Sequence, residues 1–417
     1  MARKPRYLFI IGGQEDVPMS RFTDLTGHDQ DIASDAGYSL LSTNDLGRGM
    51  TEGTLRPDLL VGRLPIATDG TLRDTQVYLS NVSNCDLWPP PRQRITIGVS
   101  CLKWEAASNE VASKLGSETV RTSPSLTDED LDSHLRKSCP ECLYFNVHGS
   151  DSNAFWVGEG DGISDGHPVV ARPENFASLN SINVVGTEAC YGARFAGLPM
   201  KESAVMSALA NKTIAFFGST RIAYGPHEPP NWGADTVVRE FLQPLCNSRE
   251  WTSLGPGAGD ILARSKSRLR GDLCTRAAEV AVLRKTFLSF NLFGDPTLFY
   301  SPRDTAKSFG SQSTGSSSDL SQRIDRLHSQ RSADLFSRID LGTERMRNSI
   351  RERVNSQVSA AFPAFASVEP QELNLVDDSG SHGFLLTYLA EGLQGFHQGL
   401  VVACTNDGAM GRVYCFK

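Results

Sequence analysis

Residues 143–149, LYFNVHG, and residues 182–190, INVVGTEAC, decide the reading of this chain. Each begins with a short apolar run, the pattern of a strand covered on both faces. Each ends on a residue with chemistry, His148 in the first and Cys190 in the second. In an open parallel α/β sheet the ligand crevice lies just past the C-terminal ends of the strands. If these two strands are neighbours, an imidazole and a thiol converge there. That is the minimum set for a cysteine nucleophile, because the thiolate attacks and the imidazole handles the proton. Gly149 lets the backbone approach a substrate closely, and its N–H together with that of Cys190 would make an oxyanion hole. Taken singly, the bland readings remain: a cysteine after a strand is often a small buried hydrophobe, and a lone histidine is often structural.

The flanking sequence extends the same pattern. Residues 94–100 (RITIGVS) and 213–218 (TIAFFG) read as further strands, and 104–115 and 202–210 have helical spacing. Strand and helix alternate from about 94 to 300, as in a mainly parallel α/β sheet. Upstream, 7–13 reads as a strand ending in Gly12-Gly13, and 58–62 as another. The stretch between them is polar and aperiodic. Gly12-Gly13 lacks both the dinucleotide and the P-loop glycine spacing, so it gives no nucleotide site. Pro89-Pro90-Pro91 marks a connection between subdomains. After Tyr300 the composition shifts to Ser and Gly, the signature of a flexible linker. An amphipathic stretch with alternating Arg, Asp and Glu follows. The end of the chain carries short apolar runs between Gly and Asp turns, which look like a small β-rich unit. The expected division is therefore 1–92, an N-terminal α/β subdomain; 93–302, a catalytic subdomain; 303–320, a linker; 321–362, a charged amphipathic helix region; and 363–417, a small β-rich domain.

The 417 residues carry a formal charge of −7, with 39% hydrophobic and 21% charged residues. This composition supports a sizeable core and excludes full-length disorder. It lacks the basic balance that neutralises phosphates, so no nucleic acid is expected as partner. No apolar run approaches the roughly 20 residues that span a bilayer. The apolar run after Tyr7 is shorter than a signal h-region, so a cytoplasmic location without membrane attachment is expected. The nine cysteines are odd in number and scattered, which argues against a disulfide framework. The single CxxC, Cys139 to Cys142, has no second ligand pair to complete a zinc site. In the glycine-rich stretch 158–167, Glu159, Asp161 and Asp165 form a candidate oxygen set for calcium, beside the plainer reading of Gly and Asp as turn formers. No other cofactor is required.

The strings ending in His148-Gly149 and Ala189-Cys190 resemble the strand–His-Gly and strand–Ala-Cys motifs of clan CD cysteine peptidases, which include caspases, legumains, separases and gingipains. Within that clan, Phe217-Gly218-Ser219-Thr220, Asn291 to Leu298 (NLFGDPTL) and Val61 to Pro65 (VGRLP) are similar to segments of the gingipain family. The resemblance spans roughly 1–302. It implies a caspase/gingipain-like α/β/α sandwich and an endopeptidase acting on protein or peptide substrates. Cys190 would be the nucleophile and His148 the acid–base group. Some relatives have a carboxylate that orients the histidine, and the sequence does not place one here. The resemblance also implies a deep pocket for the substrate residue before the scissile bond (P1). Its walls would come from 101–105, the stretch after Cys190, and 224–232. Glu105 or Asp151 as an acidic floor would select Arg or Lys at P1, the preferred reading, while Lys103 or Arg194 would select an acid. Glu188 is a candidate for pocket electrostatics, and Trp232 for an aromatic wall. Two alternatives concern regulation. A catalytically silent peptidase-like module would bind without cleaving. A latent protease in a signalling or defence system would wait for a protein partner on the C-terminal region, or for autoprocessing near 303–320.

Overall fold

The computed structural model describes residues 5–39, 59–84, 94–117, 119–160, 166–246, 257–271, 277–298, 340–341, 348–361, 365–376, 382–391, 397–405 and 410–416. Along the first part of the chain lie β1 (Tyr7–Ile11), β2 (Ser20–Phe22), β3 (Ile32–Ser34), β4 (Leu60–Leu64) and α1 (Leu72–Ser83). They are followed by β5 (Thr96–Cys101), α2 (Glu105–Leu115), β6 (Val120–Ser123), α3 (Asp128–Ser138), β7 (Cys142–Asn146), β8 (Trp156–Val157), β9 (Val169–Ala171) and α4 (Pro173–Ala177). Then come β10 (Asn183–Thr187), α5 (Ala204–Leu209), β11 (Thr213–Ser219), α6 (Ala234–Cys246), α7 (Ala258–Gly271), α8 (Ala277–Ser289) and β12 (Phe290–Gly294). The final part holds β13 (Asp340–Leu341), α9 (Asn348–Ala361), β14 (Gln371–Val376), β15 (His382–Glu391), β16 (His397–Thr405) and β17 (Met410–Phe416).

The central sheet has eight strands in the order β1-β4-β12-β11-β10-β7-β5-β6. From β11 to β6 every pairing is parallel. β12 then runs antiparallel to β11 and parallel to β4. The mainly parallel α/β sheet expected from the alternation is therefore present, and β1 and β4, upstream of residue 92, belong to the same sheet, while β2 and β3 pair as a separate antiparallel ribbon. Each central strand serves two cores because successive side chains face opposite sides. Cys142, Tyr144, Val184 and Phe217 pack with residues of α2, α6, α7 and α8. Leu143, Phe145, Val185 and Phe216 pack with α1, α3, α4 and α5. This explains the continuous apolar runs: no face of these strands meets water.

The strings VGRLP and NLFGDP interlock where β4 meets β12. Arg63 is fully buried and clasps Asp35 with Nε at 2.8 Å and Nη2 at 2.6 Å. It also donates to the carbonyls of Gly12 and Val17, at 3.1 and 2.8 Å. Asn291 accepts from the Asp35 N–H at 3.0 Å. A Cβ on Gly62 would lie 2.3 Å from the carbonyl oxygen of Gly294, so a side chain there would push the strands apart.

The C-terminal part is β-rich, as expected. β13 to β17 form a five-stranded sheet in sequence order, antiparallel throughout. Within the expected 321–362 helix region, α9 is described. The 303–320 linker and Pro89–Pro91 lie outside the described residues. Among the described residues no helix is long and apolar enough to cross a membrane.

Truncating one partner of a buried ion pair strands the other charge. Arg63→Met or Asp35→Ala is therefore expected to cost about 3–5 kcal/mol in chemical denaturation. A paired Arg63→Met, Asp35→Leu variant should recover part of that loss, because no unpaired charge remains.

Candidate active site

β7 and β10 are direct neighbours in parallel register, with Val184 opposite Cys142 and Thr187 opposite Phe145. The strand ends that carry His148 and Cys190 therefore emerge side by side at one sheet edge. The backbones are in near contact. A Cβ on Gly149 would sit 2.0 Å from the carbonyl oxygen of Cys190. Glycine at 149 is thus a steric requirement of bringing the two loops together.

His148 is buried, and three elements hold its ring. After His148 the chain turns back, and His148 and Val157 exchange backbone hydrogen bonds of 2.9 and 3.1 Å. This return places Glu159 beside the imidazole. His148 Nε2 donates to Glu159 Oε2 at 2.9 Å, and Glu159 Oε1 accepts from Lys103 Nζ at 3.0 Å. The Glu159 carbonyl also accepts from the Leu102 N–H at 3.0 Å, tying the turn to the end of β5. Trp104 packs against the imidazole with ring centroids 4.5 Å apart, in an edge geometry. His167 lies 5.7 Å away, and its Nδ1 donates to the Gly158 carbonyl.

The charges set the tautomer. Burial alone would raise the Glu159 carboxyl, but the His148 bond and the Lys103 ammonium bring it down to about 2. Glu159 is therefore an ionised acceptor. Burial lowers the His148 pKa below its usual value, outweighing the pull of Glu159. A neutral His148 that donates from Nε2 carries its lone pair on Nδ1. That atom is buried and makes no hydrogen bond in the structure. It is the nitrogen left for proton transfer.

Cys190 is also buried, at 3% exposure. Its Sγ accepts from the Ala223 N–H at 3.4 Å and lies 3.8 Å from the Ala223 carbonyl. The next residue, Tyr191, has φ of 53°, the left-handed region that non-glycine residues rarely occupy.

The other candidate residues are placed as follows. Glu105 is half-buried at the first position of α2. Asp151 is exposed in the turn after Gly149, where its charge acts on Tyr191 and Arg194. Glu188 is fully buried and accepts from the Tyr144 hydroxyl at 2.7 Å. Burial raises the Tyr144 pKa, and the Glu188 and Asp235 carboxylates raise it further, so both acids lie near this phenol. Trp232 is half-buried and packs against two apolar clusters. Of the candidate calcium set, both Glu159 oxygens are occupied by His148 and Lys103, and Asp161 and Asp165 lie outside the described residues. Among the described residues no group of three or more His, Cys, Asp or Glu side chains is arranged to hold a metal ion.

The carboxylate on His148 is the residue that sequence reasoning misses. Glu159 stands in a glycine-rich string that reads as a turn or a cation loop. The signal that finds it is the hairpin, formed by strands of two and three residues, too short to show a period.

The model of peptidase family C25 matches residues 108–301. The matched segment contains His148, Glu159 and Cys190. Among solved structures the chain is similar to one chain of the Saccharomyces cerevisiae separase–securin complex, with 13% identity and a TM-score of 0.31. That match covers 57% of this chain and 14% of the other. No curated protein matches the chain.

Two outcomes follow from the geometry. Glu159 pulls the His148 pKa upward against burial, so Glu159→Gln should move the His148 titration to lower pH, read by NMR of the ring protons. Gly149→Val should force the two loops apart and lower any Cys190-dependent activity by at least about 100-fold, since small displacements of reacting groups cost that much.

Proposed function

We propose that the chain is a cysteine endopeptidase that cleaves polypeptides through Cys190 and His148. The observation that carries this reading is the adjacent, parallel placement of β7 and β10, which delivers the imidazole and the thiol to one sheet edge. In the proposed reaction, His148 Nδ1 takes the Cys190 proton and the thiolate attacks the scissile carbonyl. A C–S bond forms, and the oxyanion is held by the N–H groups of Gly149 and Cys190. His148 then returns the proton to the leaving amine as the C–N bond breaks, and water hydrolyses the thioester. Glu159 keeps the imidazole in the tautomer this sequence needs. The match to the C25 family model over 108–301 supports the same reading.

For the P1 residue we propose Arg or Lys. Of the two cations that would select an acid, Lys103 is paired with Glu159, and Arg194 is half-buried with Asp151 and Glu202 near it. Glu188 and Asp235 place buried negative charge close to the Cys190 strand. A cation entering a desolvated pocket gains most from such charge. Latency relieved by a protein partner on the C-terminal region, or by cleavage near 303–320, completes the proposal. Its motive is the Ser/Gly-rich composition there.

A positional-scanning fluorogenic peptide library tests the reading with wild type and Cys190→Ala. Turnover restricted to basic P1 and abolished by the substitution is expected. Turnover that survives Cys190→Ala would overturn it. Comparison of calcium with chelator tests the 158–167 loop, since a cation that drew Glu159 off His148 would lower turnover.

A further inference from the structure

The segment 24–31, aperiodic in sequence, supplies a charge cluster at the base of the Cys190 loop. Its centre is Lys285 of α8, which is fully buried. Lys285 Nζ contacts Asp24 at 2.7 Å and Asp29 at 2.5 Å, and lies 3.2 Å from the hydroxyls of Thr26 and Tyr224. Burying an ammonium and two carboxylates is costly unless every charge is matched. Here Lys285 contacts both acids but offsets only one negative charge, and hydrogen-bond donors meet the remainder: the Asp24 carboxylate also accepts from the Thr26 and Asp29 N–H groups, each at 2.9 Å.

Asp29 reaches outward from this cluster to both sides of the nucleophile. The Tyr191 hydroxyl donates to Asp29 Oδ1, and Tyr191 follows Cys190 directly. The Ile222 N–H donates to Asp29 Oδ2 at 3.2 Å, and the next residue, Ala223, holds Cys190 Sγ. The two loops are joined again where the Tyr191 N–H donates to the Arg221 carbonyl at 3.0 Å. Arg221 is in turn pinned to the same segment, because its Nε donates to the Asp31 carbonyl at 2.7 Å and its Nη2 to the Asp31 carboxylate at 2.5 Å. Tyr191 sits in a left-handed conformation that its own backbone disfavours. The phenol anchor at Asp29 and the Arg221 carbonyl are what hold it.

We infer that Asp29, with Lys285 as its buried counterion, is a positioning residue that fixes the Cys190 loop against the loop carrying Ala223. It touches neither thiol nor substrate and acts through Tyr191 and Ile222. This inference rests on the peptidase reading for its kinetic consequence, but its structural consequence is independent of that reading.

The test uses the full chain with Asp29→Ala and the milder Tyr191→Phe, and Cys190→Ala as control. Asp29→Ala is expected to lower kcat about 10- to 100-fold with KM changed by less than about twofold, as loss of alignment does. Tyr191→Phe should lower kcat in the same sense by a smaller factor. In hydrogen exchange read by mass spectrometry, amides of 188–193 and 220–224 should exchange about tenfold faster in both variants, with β5 and β7 unchanged. Wild-type kcat and wild-type exchange in Tyr191→Phe would overturn the inference. So would losses that track only the folded fraction by thermal melting. If Asp29→Ala fails to fold, Tyr191→Phe decides alone. Peptide turnover retained in Cys190→Ala would sink the peptidase reading instead, and the exchange measurement would still decide the positioning role.

Discussion

The near contact between the backbones of Gly149 and Cys190 is the constraint on which the rest of the site depends. It exists because β7 and β10 pair in parallel and end in step. Parallel strands need long crossovers, so the two chemical groups must lie far apart in sequence to lie close in space. The crossover between them does more than connect. Its first turns return as β8 and bring Glu159 back onto His148. Its later part supplies Phe176, which covers the far face of the sheet.

His148 and the Cys190 loop are each held by an ionic relay of their own. His148 is tied through Glu159 to Lys103, whose side chain is one-third exposed. The Cys190 loop is tied through Asp29 to Lys285, which water does not reach. The first relay sets a protonation state: an ionised Glu159 fixes which nitrogen of a neutral imidazole bears the proton. The second relay sets only position, because Asp29 bonds the residues flanking the sulfur contact and not the sulfur itself.

Much of the fold is legible in the sequence because buried parallel strands leave continuous apolar runs. RITIGVS, LYFNV, INVVG and TIAFFG each fall on a central strand, with ends shifted by a residue or two. The convergence of His148 and Cys190 is legible for the same reason, since both follow such runs. The segment 13–39 is not legible. Its structure rests on Asp24, Asp29, Asp31 and Asp35, and its ion pairs reach Lys285, Arg221 and Arg63 far away in the chain. Charge pairing of this kind has no period, and nothing local announces the partner. Glu159 hides for a related reason, because strands of two and three residues carry no pattern.

The string VGRLP shows how a motif acquires a physical meaning. An arginine between apolar residues looks out of place in a buried strand. Arg63 is tolerated because Asp35 and the carbonyls of Gly12 and Val17 use its donors, and Asn291 of NLFGDP fixes Asp35 from the other side. The two strings are therefore one structural unit on adjacent strands, although most of the sheet lies between them in sequence. That unit joins β4 to β12, and β12 is the strand that reverses direction beside β11. The loop after β11 carries Ala223 to the sulfur of Cys190. The arginine buried on β4 and the thiol after β10 are thus linked through two consecutive strand pairings, β4 to β12 and β12 to β11.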